Sequence, residues 1–595
     1  MAGSASANNL KNGYPTPGPQ TPTGQDVMSH LFFLSKADWK AAREENNYDM
    51  VIIGTGFCSY ATAQRALKND PFCRILIIER GTYFLPEHFQ NLPGPFVDTI
   101  GGLSETFPWT LTSEMAEGDG TIKWQHGMSP FFGGRSTLWS AWCPEPNEEE
   151  FDGWPQATMD AARNNFKSAK KLLRVQKADD IDNGKEGPLL KLITGTRPVY
   201  GVLQNTIQSR LSKHGTKVDG IYRTEPAPLA SAAENIDGVD FQKYAVPGDL
   251  LELIIQQKTL FDANEGAKLD VVSDCIVDKI YQQEGIATAL QTSRGVLPLG
   301  KAKLVLAMGT LPPTTLIRNS FPQAENIGKR FSAHFITSIV ARVPKDDFAT
   351  SELFGELEIG ACYIAGVDDN DYKKQYHIQL SVLADEYPEK NAGIALRYMP
   401  DVVATASMEQ LKTSKDHVVF VCAVLGELDS RNDKNWFLNN PQDNNSTTNS
   451  LLQVIENLSD RETWDAMDKA TFGIIEGPLS PNGIGRVQYW HGTPENGTWE
   501  STRPAQSEIR VDGMVHESST LHIGAEENAP VDLNYRVRST KNVYVTGGAL
   551  WPQGGSWNPT LTMVALAQDL ADKLVPVREK VEKEIEKEKI VDYAE

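Results

Sequence analysis

The clearest pattern in the chain is a four-residue apolar run, a glycine turn and a stretch of small residues that closes on a second apolar run: 49-DMVIIGTGFCSYATAQRAL followed by 74-RILIIER. Apolar runs bounded by Gly suit strands buried on both faces, and the Ala-rich stretch between them suits a helix, so the spacing predicts a strand, helix, parallel strand unit. Two further runs of the same kind, 303-KLVLAMGT and 542-NVYVTGGAL, each end in Gly. Placed in the same sheet, they assemble one nucleotide-binding domain from both ends of the chain. The middle of the chain reads differently. Alternating runs such as 375-QYHIQLSVLA and 417-HVVFVCAVLG, with an Asn/Asp-rich loop at 432–449, predict an antiparallel sheet with exposed connections. The expected fold class is α/β: a Rossmann-like domain drawn from both chain ends plus an α+β substrate-binding domain with an antiparallel sheet. The expected division is 48–334 for the first part of the nucleotide-binding domain, with insertions from its neighbour, 335–510 for the substrate-binding domain, and 511–577 for the return.

The two ends differ from this body. Residues 1–25 combine Pro, Gly, Ser, Thr and Asn with almost nothing apolar and are expected to be a disordered arm. Residues 578–595 alternate charges with widely spaced Val and Ile, as a solvated surface helix does. Composition adds exclusions. Of 595 residues, 40% are hydrophobic and 23% charged, which rules out fibrous and wholly disordered chains. The net charge of −21 repels phosphate backbones and anionic lipid, so neither nucleic acid nor membrane is an expected partner. Six cysteines stand singly, with no C-x-x-C spacing; buried free thiols are expected rather than a metal site or a disulfide framework. No apolar run approaches the ~18 residues of a membrane span. The first residues lack the pattern of a secretory signal, so an intracellular, cytoplasmic location is expected, and the sequons at Asn444, Asn445, Asn457 and Asn496 carry little weight.

Candidate chemistry begins at the first glycine turn. In 54-GTGFCS, Gly54 permits the tight turn, and Gly56 lets a backbone approach a pyrophosphate whose charge rests on the helix N-terminus. Ser59 takes the place of a third Gly, where helix-to-strand packing is at stake. Glu79 closes the second strand, 25 residues after Gly54, where a carboxylate accepts hydrogen bonds from an adenosine ribose and disfavours a 2′-phosphate. A second cluster, 133-GGRSTLWSAWCPEP, joins a Gly-Gly turn to small hydroxylic residues. A third, 547-GGALWPQGGSWNPTLTMVALAQDLADKL, predicts a helix with Asn558 as cap, Pro559 in its first turn and Thr560 following. The N–H groups at Asn558 and Thr560 and the positive helix end can face an electron-rich ring oxygen.

With these blocks the chain resembles the glucose–methanol–choline (GMC) flavin oxidoreductases, and within them the pyranose 2-oxidase branch. The resemblance rests on 51-VIIGTG, 133-GGRSTLWS, 303-KLVLAMGT, 513-GMVHESSTLHIG and 542-NVYVTGGALWPQGGSWNPTLTMVALA; the middle of the chain is not matched. It implies bound FAD, with Gly54, Gly56 and Glu79 on the ADP half. Gly134, Ser136, Thr137 and Ser140 are then implied near the isoalloxazine, and Gly548 and Ala549 near the pyrophosphate and ribityl chain. Where pyranose 2-oxidases carry a His bonded to the flavin, this chain has Leu138, so non-covalent FAD is expected.

The family pattern H-x-x-G-T-x-x-M-G, read on 513-GMVHESSTLHIG, selects His516, with Ser519 in place of Gly and Ile523 in place of Met. His516 precedes Asn558 by 42 residues, and the resemblance implies that the two form the catalytic pair. An imidazole of near-neutral pKa can take a hydroxyl proton while the flavin takes a hydride, and an amide can hold the same oxygen. His522 and Trp551 are expected to line the substrate pocket. The function expected is FAD-dependent oxidation of the CH–OH group of a sugar or other small alcohol, with O2 or another electron acceptor; the alternative is a lyase or cyclase that retains FAD without net redox.

Overall fold

The computed structural model describes residues 23–84, 88–89, 105–181, 199–236, 239–244, 248–368, 374–399 and 406–578, with 10–11, 14–15 and 21 besides. The expected arm over 1–25 and charged helix over 578–595 lie largely outside the described residues.

The apolar runs form one five-stranded parallel sheet in the order Leu269–Val272, Ile75–Ile78, Met50–Ile53, Lys303–Leu306, Val543–Val545. Every residue of Met50–Ile53 and Ile75–Ile78, two of the three interior strands, is buried. This is why they carry no polar alternation: helices cover both faces of such a sheet. Helix Phe57–Asn69 follows the first strand, and helix Thr560–Leu574, from the far end of the chain, packs on it and on helix Gln156–Leu172. The small residues Ala61, Ala63, Ala66, Ala565, Ala567 and Ala571, all fully buried, allow these helices to lie close. The Rossmann-like half is thus built from both ends of the sequence. Its edge strand Leu269–Val272 escapes the apolar pattern because Asp270 interrupts it, and Asp270 accepts a 2.7 Å hydrogen bond from the Tyr48 hydroxyl.

The second sheet is antiparallel along its main path: Gly497–Glu500, Gln488–Gly492, Ser332–Pro344, His417–Glu427, Gln375–Asp385, Leu357–Val367, Ile221–Pro226. Strand Arg510–Ser518 pairs antiparallel with Ser332–Pro344 beside it. The strands Gln375–Asp385 and His417–Glu427 are buried on both faces almost throughout; helix Leu458–Glu476 packs over one of them. Strand Ser332–Pro344 begins before the boundary expected at 335, and strand Arg510–Ser518 runs across the one expected at 511. Residues 510–518, including His516, therefore belong by hydrogen bonding to the antiparallel sheet and not to the nucleotide-binding sheet.

All six cysteines are free, five buried and Cys58 half-buried. Among the described residues no helix is long and apolar enough to cross a membrane, and no group of three or more His, Cys, Asp or Glu is placed to hold a metal. Asn457, one of the sequons, caps helix Leu458–Glu476 with its side chain.

Candidate active site

The first glycine turn is built where two strands meet. Gly54 has φ +105°, and a Cβ there would fall 2.4 Å from the Ala307 carbonyl oxygen on the neighbouring strand, so no side chain fits. Gly56 caps helix Phe57–Asn69 without a side-chain bond. The Phe57 N–H instead donates to Ser136 Oγ at 3.1 Å, which brings the second sequence cluster onto the helix N-terminus. Thr55 Oγ1 donates to Glu79 at 2.5 Å and accepts the Gly133 N–H at 2.8 Å, and the Gly81 N–H donates to the other Glu79 oxygen. Burial pushes the Glu79 carboxyl up to about 7. Gly134–Thr137 form a single 3₁₀ turn in which the Thr137 hydroxyl folds back on the Gly134 carbonyl; Leu138 and Ser140 follow it half-buried.

Opposite lies the turn Gly548–Leu550. Gly548 and Ala549 are buried, and their carbonyls accept the N–H groups of Ser519 and Leu521. Among the described residues Gly309 (φ +78°) has no atom within 4 Å of where its Cβ would stand, and Gly547 (φ +102°) meets only the Gly309 carbonyl oxygen at 3.9 Å. These two glycines border an open lane. Ser59 Oγ, in the first turn of helix Phe57–Asn69, is fully buried with no hydrogen-bond partner.

The predicted catalytic residues stand at the two ends of a row of polar side chains. His516 sits on strand Arg510–Ser518 with φ +60°, a left-handed conformation uncommon for a residue with a side chain. Its Nδ1 lies 2.9 Å from Nδ1 of His334, whose Nε2 lies 2.7 Å from the Gly555 carbonyl oxygen. The His334 ring stands edge-on to His516 at 4.8 Å and to His377 at 6.4 Å. His377 Nε2 accepts from the Gln379 amide at 3.1 Å, and the same amide donates to Asn558 Oδ1 at 2.8 Å. Among the described residues no direct hydrogen bond joins His516 to Asn558. His334, His377, Gln379 and Asn558 are 0–3% exposed, while His516, half-buried, is the accessible end. Burial, and then the neighbouring His334 and His377, hold the His516 imidazole well below its usual pKa; burial lowers His334 to about 4. These rings are neutral at pH 7.

Three members of the row, His334, His377 and Gln379, are not among the residues expected from sequence. The polar alternation His377, Gln379, Ser381 inside the apolar strand 375–385 is the signal that could have found two of them. One further placement differs from expectation. Asn558 does not cap the C-terminal helix: the cap position is Pro559, with no side-chain bond, because the Asn558 amide is engaged by Gln379. His522 is buried with its Nδ1 unpartnered, and among the described residues its ring joins no hydrogen bond of the row. Trp551 is 2% exposed in an aromatic cluster, edge-on to Trp154 at 5.1 Å and stacked toward Trp557 at 6.4 Å, which is a packing position. Beside His516, Glu517 pairs with Arg135 and accepts from Gln125 at 3.0 Å, tying the 3₁₀ turn to the strand that carries the histidine.

Residues 364–567, which contain His377, Gln379, His516 and Asn558, match the C-terminal family model described as GMC oxidoreductase. The C-terminal part of the chain thus carries a GMC oxidoreductase domain. The fold agrees: pyridoxine 4-oxidase from Mesorbium loti superposes with a TM-score of 0.52 at 15% identity, covering 89% of this chain and 99% of that one. An FAD-dependent oxidoreductase from Chaetomium thermophilum superposes with a TM-score of 0.55 at 14% identity, over 89% and 99%. No curated protein matches in sequence. FAD is the cofactor expected with such a domain, and the residues present fit it: a helix N-terminus capped by Gly56 without a side-chain bond from the cap, a hydroxyl at Ser59 orphaned among the described residues, a carboxyl at the second strand end and an open lane between Gly309 and Gly547.

Proposed function

We propose that this enzyme oxidises the CH–OH group of a small alcohol, with His516 as the base that takes the hydroxyl proton and Asn558 as the group that holds the same oxygen. One observation carries this reading: a neutral imidazole with no hydrogen-bonded carboxylate among the described residues stands at the accessible end of a buried polar row whose other end is Asn558. A neutral ring can accept a proton at pH 7, and without a carboxylate on it the ring has no cause to hold one beforehand.

On this reading Gly54, Gly56, Ser59 and Glu79 hold the ADP half of FAD, Gly134, Ser136, Thr137 and Ser140 flank its ring, and Gly548, Ala549 and the helix start at Asn558 and Thr560 meet its remaining polar edge. FAD supplies the hydride acceptor. Asn558, its carbonyl oxygen already taken by Gln379, turns its N–H2 to the substrate oxygen and fixes the carbon in place. Leu138 offers no nucleophile, and Cys143 is fully buried with its thiol pushed up by burial, so FAD is held non-covalently.

The branch resembled points to pyranoses, and the pyridoxine oxidase of like fold to a hydroxymethyl group on an aromatic ring. A panel of pyranoses and arylmethanols, pyridoxine included, added anaerobically to the yellow holoenzyme should contain a compound that bleaches the flavin. His516→Ala should keep FAD and lose about 10²–10⁴-fold in that rate. Oxygen uptake and dye reduction measured in parallel identify the acceptor. A compound that is turned over while the flavin stays oxidised would replace this reading with the lyase or cyclase one.

A further inference from the structure

His334 is buried, lies on a different strand from His516, and touches it ring to ring. We infer that His334 is a positioning residue: it fixes the tautomer of His516 so that the hydrogen sits on Nδ1 and Nε2 is left bare as the proton acceptor. This rests on His516 being the base.

The assignment follows from donors and acceptors. A backbone carbonyl can only accept, so the 2.7 Å contact between Gly555 O and His334 Nε2 places a hydrogen on that nitrogen. His334 is 3% exposed and faces two other imidazoles, His516 and His377. The carboxylate across the strand pair, Glu427, is engaged by the Gln553 amide and the Gly555 N–H. The charged pair on the His516 side, Arg135 with Glu517, is mutually neutralising, and His126 beyond it is paired with Glu105. With no counter-charge hydrogen-bonded to its ring among the described residues, His334 is neutral and carries one hydrogen, already given to Gly555. Its Nδ1 is then a lone pair. The 2.9 Å contact between the two Nδ1 atoms requires the hydrogen to come from His516. His516, neutral in its turn, has none left for Nε2.

The loop that supplies the carbonyl is held in place. Gly555 has φ +70°, a Cβ there would fall 1.8 Å from the Trp557 ring, and a Cβ on Gly554 would fall 2.5 Å from Ser332 Oγ. The Gly555 oxygen therefore has a defined direction, and it selects the tautomer of His334, which selects that of His516. In the reaction the substrate O–H bond breaks as its proton joins Nε2, the C–H bond breaks as the hydride leaves for FAD with its electron pair, and a C=O double bond forms. The alcohol loses two electrons and FAD gains them. The imidazolium so formed keeps its Nδ1–H donated to the His334 lone pair. An unconstrained histidine in water favours the opposite tautomer, in which Nε2 is blocked.

The test compares His334→Phe, which keeps a flat ring without an acceptor, with His334→Asn, whose Oδ1 can take the His516 Nδ1–H. Both are made in the FAD-loaded protein. The ¹⁵N spectrum of histidine-labelled native enzyme at pH 7, with the His516 signals identified by their loss in His516→Gln, should show a protonated Nδ1 and a bare Nε2. In His334→Phe the His516 signals should move to the opposite or a mixed tautomer, and anaerobic flavin reduction should slow roughly tenfold or more with substrate affinity little changed. His334→Asn should restore the Nδ1–H tautomer and most of the rate. A protonated Nε2 in the native enzyme overturns the inference, and so do equal rates in the Phe and Asn variants. Should His334→Phe fail to load FAD, the native spectrum and His334→Asn decide alone. If the tautomer is as described but His516→Gln reduces the flavin at the native rate, it is the reading of His516 as base that fails.

Discussion

His516 and His522 lie in one stretch, 513-GMVHESSTLHIG, and meet opposite surroundings. His522 is 5% exposed with a partnerless Nδ1, and burial, with Arg330 adding to it, brings it down to about 3. Its unfolded pKa is near 6.5. A group with a lowered folded pKa contributes its full stability above the unfolded value and loses it as pH falls. At pH 5 native protein should therefore have lost about 2 kcal/mol relative to His522→Leu compared with pH 7; urea unfolding of both proteins at the two values checks this, and parallel curves would contradict it. His516 is lowered as well, so on the proposed reading the base stays unprotonated below pH 6.5. Flavin reduction should be level from pH 8 to about 6 and fall only in more acid solution, where a histidine of ordinary pKa would already have lost half its rate near 6.5. In the sequence, only the motif distinguishes these two histidines. It could not reveal His334, His377 and Gln379, because a polar alternation on a strand reads the same whether that face meets water, as in many antiparallel sheets, or a buried site.

At the scale of elements, the four-residue runs were legible because strands buried on both faces have no room for polar residues, and every residue of 50–53 and 75–78 is in fact buried. Strand Arg510–Ser518 was not legible. It is polar, its pairing with Ser332–Pro344 shifts register twice, and His516 departs from extended geometry within it, so no period of two survives. The glycines at the strand ends divide into two kinds. At Gly54 a methyl would meet backbone at 2.4 Å with φ +105°, and Gly54→Ala should yield little folded protein. At Gly309 nothing among the described residues stands within 4 Å, so Gly309→Ala costs the fold about 1–2 kcal/mol for its positive φ and puts a methyl in the open lane. That variant should fold and lose FAD affinity by tenfold or more in a fluorescence titration; native affinity would mean that the lane is not the cofactor's.

For the whole molecule, the residues assigned to FAD come from 54–79, 134–140 and 548–560, and the parallel sheet itself closes only when Val543–Val545 lies beside Lys303–Leu306. On the proposed assignment the cofactor site exists only in the fully assembled chain, and FAD binding should be linked to folding of both ends together. A ligand held without a covalent bond stabilises by mass action, about 4 kcal/mol at a free concentration 1,000 times its Kd, so the Tm of the holoenzyme should climb with added free FAD. A flavin bonded to the chain cannot dissociate, and its Tm would ignore free FAD. The same distinction appears on acid precipitation, where the yellow colour should pass to the supernatant. With Leu138 where pyranose 2-oxidases carry the attachment His and Cys143 buried, flavin that stays in the pellet together with a Tm indifferent to free FAD would require another nucleophile beside the ring, and the proposed assignment of the 134–140 turn to the isoalloxazine would have to be redrawn around it.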